Sequence, residues 1–167
     1  MSMLYKSIYH SPLGTFVLIS DSRHLLKLCP AELFKESEDV IERDSVPIRL
    51  AKHWLDAYFH GSKPSISDLP LRPVGTAFQQ KCWQLLCRIP YGHTCPYKDI
   101  ANEMAGINSV GRMSCQAVGQ AIKRNPISII IPCHRVIGSD GSLTGYSGGL
   151  NLKQALLIHE HALKTEL

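Results

Sequence analysis

Apolar and polar positions alternate through YKSIYHS, and the chain then runs apolar through TFVLIS and HLLKLCP, with the turn-prone triplets Pro12-Leu13-Gly14 and Asp21-Ser22-Arg23 between these runs. This pattern predicts an antiparallel hairpin or small sheet. After an acidic stretch from Glu36 to Asp44, VPIRLAKHWLDAYFHG places Ile48, Leu50, Ala51, Trp54, Leu55, Tyr58 and Phe59 at helical spacing, and Gly61 closes the run. Such a helix is expected to cover the sheet. The segment SKPSISDLPLRPVG holds three prolines and few apolar pairs, the composition of an extended linker. A domain boundary near residue 74 follows.

The pattern beyond that boundary changes to helical periodicity. Thr76 is an N-cap in front of AFQQKCWQLLCRI, whose Phe78, Cys82, Leu85, Leu86 and Ile89 make one apolar face, with Pro90 and Gly92 as the stop. YKDIANEMAG reads as a short helix ended by Gly106, and SVGRMSCQAVGQAIKRNP repeats Met113, Ala117, Val118, Ala121 and Ile122 at three- and four-residue intervals. Two short helices joined by a tight glycine-containing turn suggest a helix-turn-helix, although a helical hairpin in a core has the same pattern. The expected class is α+β: residues 1–74 form a small antiparallel-sheet domain with a helix and linker, and residues 75–167 a mainly helical domain with a helix-turn-helix.

Composition narrows the functional classes. At 167 residues the chain is long enough to bury a core, and its 44 % hydrophobic content excludes a disordered or low-complexity protein. The apolar run Phe16–Ile19 is too short for a signal-peptide core or a membrane span, so the terminal KTEL is not expected to act as an ER-retention address. The cysteines, at 29, 82, 87, 95, 115 and 133, form no CxxC pair and suit a reducing compartment. Residues 1–75 carry nine Lys/Arg and nine Asp/Glu, so the net charge of +4 resides in the second half, a bias compatible with a polyanion and also with an ordinary solvated surface.

The segment richest in chemistry is NPISIIIPCHRVIG, where a β-branched run that reads as buried ends in Pro132-Cys133-His134-Arg135. A cysteine is nucleophilic as thiolate, and its free pKa of about 8.5 must be lowered by a base, a cation or a helix N-terminus. His134 and Arg135 are immediate perturbers. Adjacent side chains seldom face one another, so a Cys133–His134 contact requires a tight bend or a bridging water, and an acid from elsewhere is needed to orient the histidine. The plainer reading makes Cys133 a core cysteine at a strand end. Asn125-Pro126 favours a turn, or simply stops the helix.

Taken together, GTAFQQKCW, IPYG, Tyr97, AVGQAIKRNP, IPCHRVIG, TGYSGGL and LLIHE, in that order over roughly residues 76–161, resemble the O6-alkylguanine-DNA alkyltransferase family. The resemblance implies direct-reversal DNA repair: stoichiometric, irreversible transfer of the alkyl group from O6-alkylguanine, with O4-alkylthymine as a further candidate substrate, to Cys133 after nucleotide flipping. It makes Cys133 the alkyl acceptor, His134 its water-linked base and Glu160 the acid holding that histidine. Asn125 becomes the hinge between recognition helix and active-site loop, and Tyr97 the tyrosine that hydrogen-bonds the guanine and helps expel the nucleotide. Tyr146 and Ser147 match the lid of the guanine pocket, and Val136 and Ser128 fall among its walls. Gln116, Ala117, Gly119, Lys123, Arg124 and Arg135 fall at DNA-contacting positions. Family members commonly carry an arginine just before AVG, where this chain has Gln116, a shorter and uncharged wedge.

The implied partner is double-stranded DNA containing O6-alkylguanine, bound by a monomer with no cofactor and no membrane association, in the cytoplasm of a prokaryote or the nucleus of a eukaryote. No metal is expected: Cys133, His134, His159 and His161 match neither HExxH nor a paired-cysteine framework. Two other readings use the same residues. One is a helix-turn-helix lesion binder without repair, against which Cys133 counts. The other is a Cys-His hydrolase, which needs an oxyanion pocket and turnover.

Overall fold

The computed structural model of the chain describes residues 3–36, 39–107, 113–146 and 148–163. It divides into two compact units: residues 1–74 together with Pro126–Ile130, and residues 75–125 together with 131–167. The excursion of residues 126–130 into the first unit departs from a simple boundary near 74. Its basis is backbone pairing, because Leu28 N donates to Pro126 O at 2.9 Å and Ser128 N donates to Leu28 O at 2.9 Å.

In the first unit, β1 (Leu4–Ser11), β2 (Gly14–Ser20) and β3 (Leu25–Pro30) form the antiparallel part of a four-stranded sheet of order β3-β2-β1-β4. Ile8 faces Val17 across the first pair and Leu18 faces Leu28 across the second. The acidic stretch contributes a strand that the periodicity does not reveal: β4 (Val40–Glu42) joins β1 in parallel. Phe16 to Ser20, on the central strand β2, are all buried, and α1 (Val46–Phe59) packs on the sheet against β1, β2 and β3.

Helix α1 starts at Ser45, whose hydroxyl accepts from Ile48 N at 3.3 Å, and it buries Ile48, Ala51, Trp54, Leu55 and Tyr58. Leu50, counted with that stripe by spacing, is exposed. The proline-rich linker is irregular but anchored, with Leu25 N donating to Pro70 O at 2.7 Å and Arg72 N to Leu25 O at 2.9 Å.

The second unit is built on α2 (Ala77–Leu86), α3 (Tyr97–Ile107), α4 (Cys115–Lys123) and α5 (Leu150–His159), with a two-residue parallel pair, β5 (Cys95–Pro96) and β6 (Val136–Ile137). Thr76 and Gln79 form a reciprocal capping box at the start of α2. That helix ends at Leu86, before Pro90 and Gly92, and leaves Ile89 buried outside it. Helix α3 runs through Gly106, which therefore does not end it. Ser114 caps α4, placing Met113 ahead of the helix, and Ala117 faces outward while Val118, Ala121 and Ile122 are buried. The connection between α3 and α4 at residues 108–112 lies outside the described residues.

Helices α2 and α4 are joined by Trp83, 2 % exposed, whose Nε1 donates to Ala121 O at 2.8 Å. Trp83→Phe removes that donor and part of the ring, and should lower the unfolding free energy by about 1–3 kcal/mol. Urea denaturation of the two proteins measures the difference, and equal midpoints and slopes would show that the contact contributes nothing.

Candidate functional site

The run SIIIP is buried but adopts no strand. Ile129 has φ +69°, in the left-handed region that a β-branched residue avoids, at a cost on the order of 1–3 kcal/mol. After Pro132 the chain tightens into a single 3-10 turn over Cys133–Arg135, with all three residues buried. A 3-10 turn advances about 120° per residue, so neighbouring side chains in it point apart. Cys133, His134 and Arg135 accordingly have separate partners.

Asn125 meets Cys133 from the end of α4. Its Nδ2 donates to Ile131 O at 2.8 Å and to Cys133 Sγ at 3.1 Å, tying the helix to the turn. Burial pushes the Cys133 thiol up to about 11, against the opposing pull of the Asn125 hydrogen bond and of Lys153. The sulfur at rest is therefore a thiol, and reaction requires a base.

A histidine able to take up a proton is the next residue in sequence and is oriented from elsewhere. His134 is completely buried, and its Nε2 lies 2.6 Å from Glu160 Oε2. Burial is the largest influence on the ring and holds its pKa below the usual histidine value, although Glu160 acts in the opposite direction. Burial also opposes the charge on Glu160, but hydrogen bonds and charge from His134 and Arg135 outweigh it and hold the carboxyl well below the usual range. With an ionised acceptor, Nε2 carries the hydrogen and donates it. Nδ1 then presents its lone pair, buried and without a protein partner among the described residues.

Arg135 completes the cluster. Its Nε and Nη2 donate to the two Glu160 oxygens at 2.7 and 3.1 Å, Nη1 donates to Ile89 O at 2.7 Å, and the guanidinium lies 5.8 Å from the Tyr91 ring centroid. The expected DNA contact by Arg135 is thus corrected: the side chain is turned inward, and its donors are engaged with protein acceptors.

A second polar cluster lies between α3 and α5. Tyr97 Oη donates to Thr144 O at 2.8 Å beside Gly145, where φ is +70° and a Cβ would approach the hydroxyl to 3.1 Å. Tyr146 is buried, Val136 is fully buried in β6, and Ser147 lies outside the described residues. Ser128 is buried in the first unit. On α4, Gln116, Ala117, Lys123 and the capping Arg124 are exposed, and a Cβ added at Gly119 would meet nothing within 4 Å. Among the described residues no group of three or more His, Cys, Asp or Glu is placed to hold a metal, and no helix is long and apolar enough to cross a membrane.

Comparison with known proteins gives this arrangement a family. Residues 77–162 match the family described as 6-O-methylguanine DNA methyltransferase, DNA binding domain, and residues 4–73 match its ribonuclease-like domain. The chain belongs to the 6-O-methylguanine DNA methyltransferase family. A methylated-DNA–protein-cysteine methyltransferase of Methanosarcina barkeri is 46 % identical over 166 residues, covering 96 % of this chain and all of the relative. One of Haemophilus influenzae is 39 % identical over 162 residues, covering 94 % of this chain and 86 % of the relative. The crystal structure of Mycobacterium tuberculosis OGT in complex with DNA superposes with a TM-score of 0.81 at 38 % identity, covering 94 % of this chain and 92 % of that one.

Sequence reasoning within this methyltransferase family passed over Lys153. It is fully buried on the α5 stripe that continues through Leu156 and Leu157 to Glu160. A lysine in phase with two leucines and the orienting acid was the available signal. The engagement of Arg135 with Glu160 had no such signal, because it joins residues 25 apart through an irregular turn.

The buried Glu160 cluster sets a pH dependence of stability. His134 and Glu160 both have folded-state pKa values below their unfolded values of about 6.5 and 4.3, so the unfolded chain binds more protons as pH falls. Their contributions are complete above about pH 6.5, with the His134 part lost downward from there and the Glu160 part downward from about 4.3. Glu160→Gln should cost about 3–5 kcal/mol at pH 7.5, since it leaves Arg135 buried without its anion, and should flatten the acid limb below about pH 4.3. Urea titrations from about pH 8 to about pH 3 check both, and a limb of unchanged steepness below about pH 4.3 in the variant would refute the assignment.

Proposed function

We propose that this chain repairs DNA by transferring the alkyl group of O6-alkylguanine to its own Cys133, once per molecule. The observation that supports this most is a pair of contacts made from one buried turn, Asn125 to the Cys133 sulfur and Glu160 to His134 Nε2, which leave an uncharged His134 Nδ1 as a proton acceptor on the residue next to the thiol.

The steps follow from these groups. A water bridging Cys133 and His134 Nδ1 relays the thiol proton to the imidazole, and Glu160 stabilises the imidazolium. The thiolate attacks the alkyl carbon, so a C–S bond forms as the C–O6 bond breaks, and the electron pair departs with the guanine. Tyr97 donates to the leaving base, which recovers a proton to become ordinary guanine. The product is a thioether, outside thiol–disulfide exchange, and nothing in the site returns it to thiol. Because O6 lies within the stack, the nucleotide must be rotated out at a cost of a few kcal/mol. The exposed face of α4, with Gln116, Ala117, Gly119, Lys123 and Arg124, is the surface we assign to the duplex. Open space at Gly119 allows a backbone to approach closely, and Lys123 and Arg124 supply the phosphate contacts.

Intact-protein mass after incubation with an oligonucleotide containing O6-methylguanine should show a gain of one methyl group, never more, and none in Cys133→Ser. Absence of the gain in folded protein that binds this DNA would favour lesion recognition without repair.

Gln116 is exposed in the first turn of α4 and is neutral, so it lacks the stacking plane and phosphate attraction of a guanidinium. Gln116→Arg should tighten duplex binding by roughly 0.5–2 kcal/mol and speed single-turnover repair. Unchanged affinity and rate would remove residue 116 from the proposed interface.

A further inference from the structure

The turn Ile89-Pro90-Tyr91-Gly92, between α2 and β5, takes no part in the alkyl-transfer steps, yet three of its residues meet the Arg135–Glu160 pair. Ile89 O accepts from Arg135 Nη1 at 2.7 Å. The half-buried Tyr91 ring lies 5.8 Å from the same guanidinium, and its hydroxyl donates to His159 O, at the end of α5, at 3.4 Å. Gly92 N reaches Glu160 Oε1 at 3.5 Å. Gly92 has φ +81°, and a Cβ there would come within 3.2 Å of Glu160 O, so a residue without a side chain lets the turn close on the end of α5. The side chain of Glu160 has no exposed surface, and that of Arg135 keeps 10 %.

On the footing of the alkyl-transfer reading, in which His134 is the base, we propose that Tyr91 is a positioning residue: its ring is a cover that holds Arg135 on Glu160 and keeps water from the pair. Glu160 then stays the fixed acceptor of His134 Nε2, and Nδ1 stays free of hydrogen. Tyr91 acts through Arg135 and Glu160 rather than on substrate or sulfur. Ile89 O and the Gly92 amide anchor the turn to the same two side chains, so the ring is held where it covers them. An aromatic face suits this place because it attracts a guanidinium while excluding water from one side of it.

The sign of the effect follows from what surrounds the imidazole. Burial and the charges of Arg135 and Lys153 lower the proton affinity of His134, and Glu160 raises it. Without the ring, water reaches Arg135 and Glu160 and screens their attraction, which leaves more of the Glu160 charge for His134 and relieves its burial. Both changes act upward. Between about pH 5 and pH 7.5 Glu160 and Arg135 stay charged, burial brings Lys153 down to about 8 and keeps Cys133 a thiol at about 11, and Tyr91 is pushed above the ordinary tyrosine value, mainly by burial. His93, whose Nδ1 lies 3.1 Å from Tyr91 O, and His159 are the other histidines beside the turn.

Nitrogen NMR of the assigned histidine rings reports tautomer and charge and needs neither DNA nor a lesion. In the full-length wild type the His134 signals should be those of a neutral ring with its hydrogen on Nε2, held as pH falls through about 6.5. In Tyr91→Leu the onset of protonation should move up by about one pH unit, a tenfold gain in proton affinity. Tyr91→Phe, which keeps the ring and loses the hydroxyl, should titrate as the wild type does. At the midpoint of Tyr91→Leu half of the rings are charged, so its single-turnover methyl transfer, relative to its own rate at about pH 8, should be about twofold below the wild type's. An unchanged His134 titration in Tyr91→Leu, or an equal shift in Tyr91→Phe, would overturn the proposal. Tyr91→Met, an unbranched chain that fills the gap without a ring, serves in place of Tyr91→Leu if that variant does not fold. The expected titrations together with no methyl transfer from O6-methylguanine DNA by the wild type would leave the cover over Glu160 standing and reject the alkyl-transfer reading.

Discussion

The buried carboxylate of Glu160 is the constraint on which the rest of the site depends. A carboxylate removed from water is stable only if its lone pairs are occupied and its charge is matched, and His134 Nε2, Arg135 Nε and Arg135 Nη2 provide this at 2.6, 2.7 and 3.1 Å. Arg135 balances the charge and His134 does not need to. Glu160 can therefore remain ionised beside an uncharged imidazole, fix the hydrogen on Nε2 and leave Nδ1 as the basic nitrogen. Had His134 been the sole partner, the pair would have been drawn toward imidazolium–carboxylate, and Nδ1 would have carried a hydrogen instead of a lone pair.

The same logic governs the sulfur. Burial alone makes a poor nucleophile of Cys133, raising its pKa to about 11. Asn125 and Lys153 reduce that penalty from two sides, one as a hydrogen-bond donor and the other as a charge. A thiol kept protonated at rest is protected from adventitious oxidation and alkylation, since the thiolate is the reactive form. For a protein proposed to react once, selectivity of this kind matters more than the speed of a permanently ionised sulfur.

The sequence carried much of this. Alternation and turn triplets placed the hairpin, apolar spacing and Gly61 marked α1, and Thr76 announced α2, because each of these signals is local. Strand β4 was hidden because three residues in an acidic stretch become a strand only when β1 offers an edge to pair with. Leu50 and Met113 fitted a helical period yet lie outside the buried stripe or outside the helix, since spacing gives phase but not which face meets a neighbour or where a cap falls.

Sequence alone determined the fold class and the helix and strand positions set by local caps and periods, which depend on residues within a few positions of one another. It also determined the family, through motifs whose order and spacing extend over half the chain. Tertiary structure alone decided the partners of the charged groups: that Arg135 turns inward to Glu160, that Lys153 is a buried cation without a carboxylate, and that residues 126–130 leave the second unit to pair with β3. The reason is the same in each case. A buried charge or an unpaired backbone group must find its partner in space, and that partner is 25 residues away for Arg135, 17 for Val136 O against Lys153, and nearly a hundred for Leu28 against Pro126.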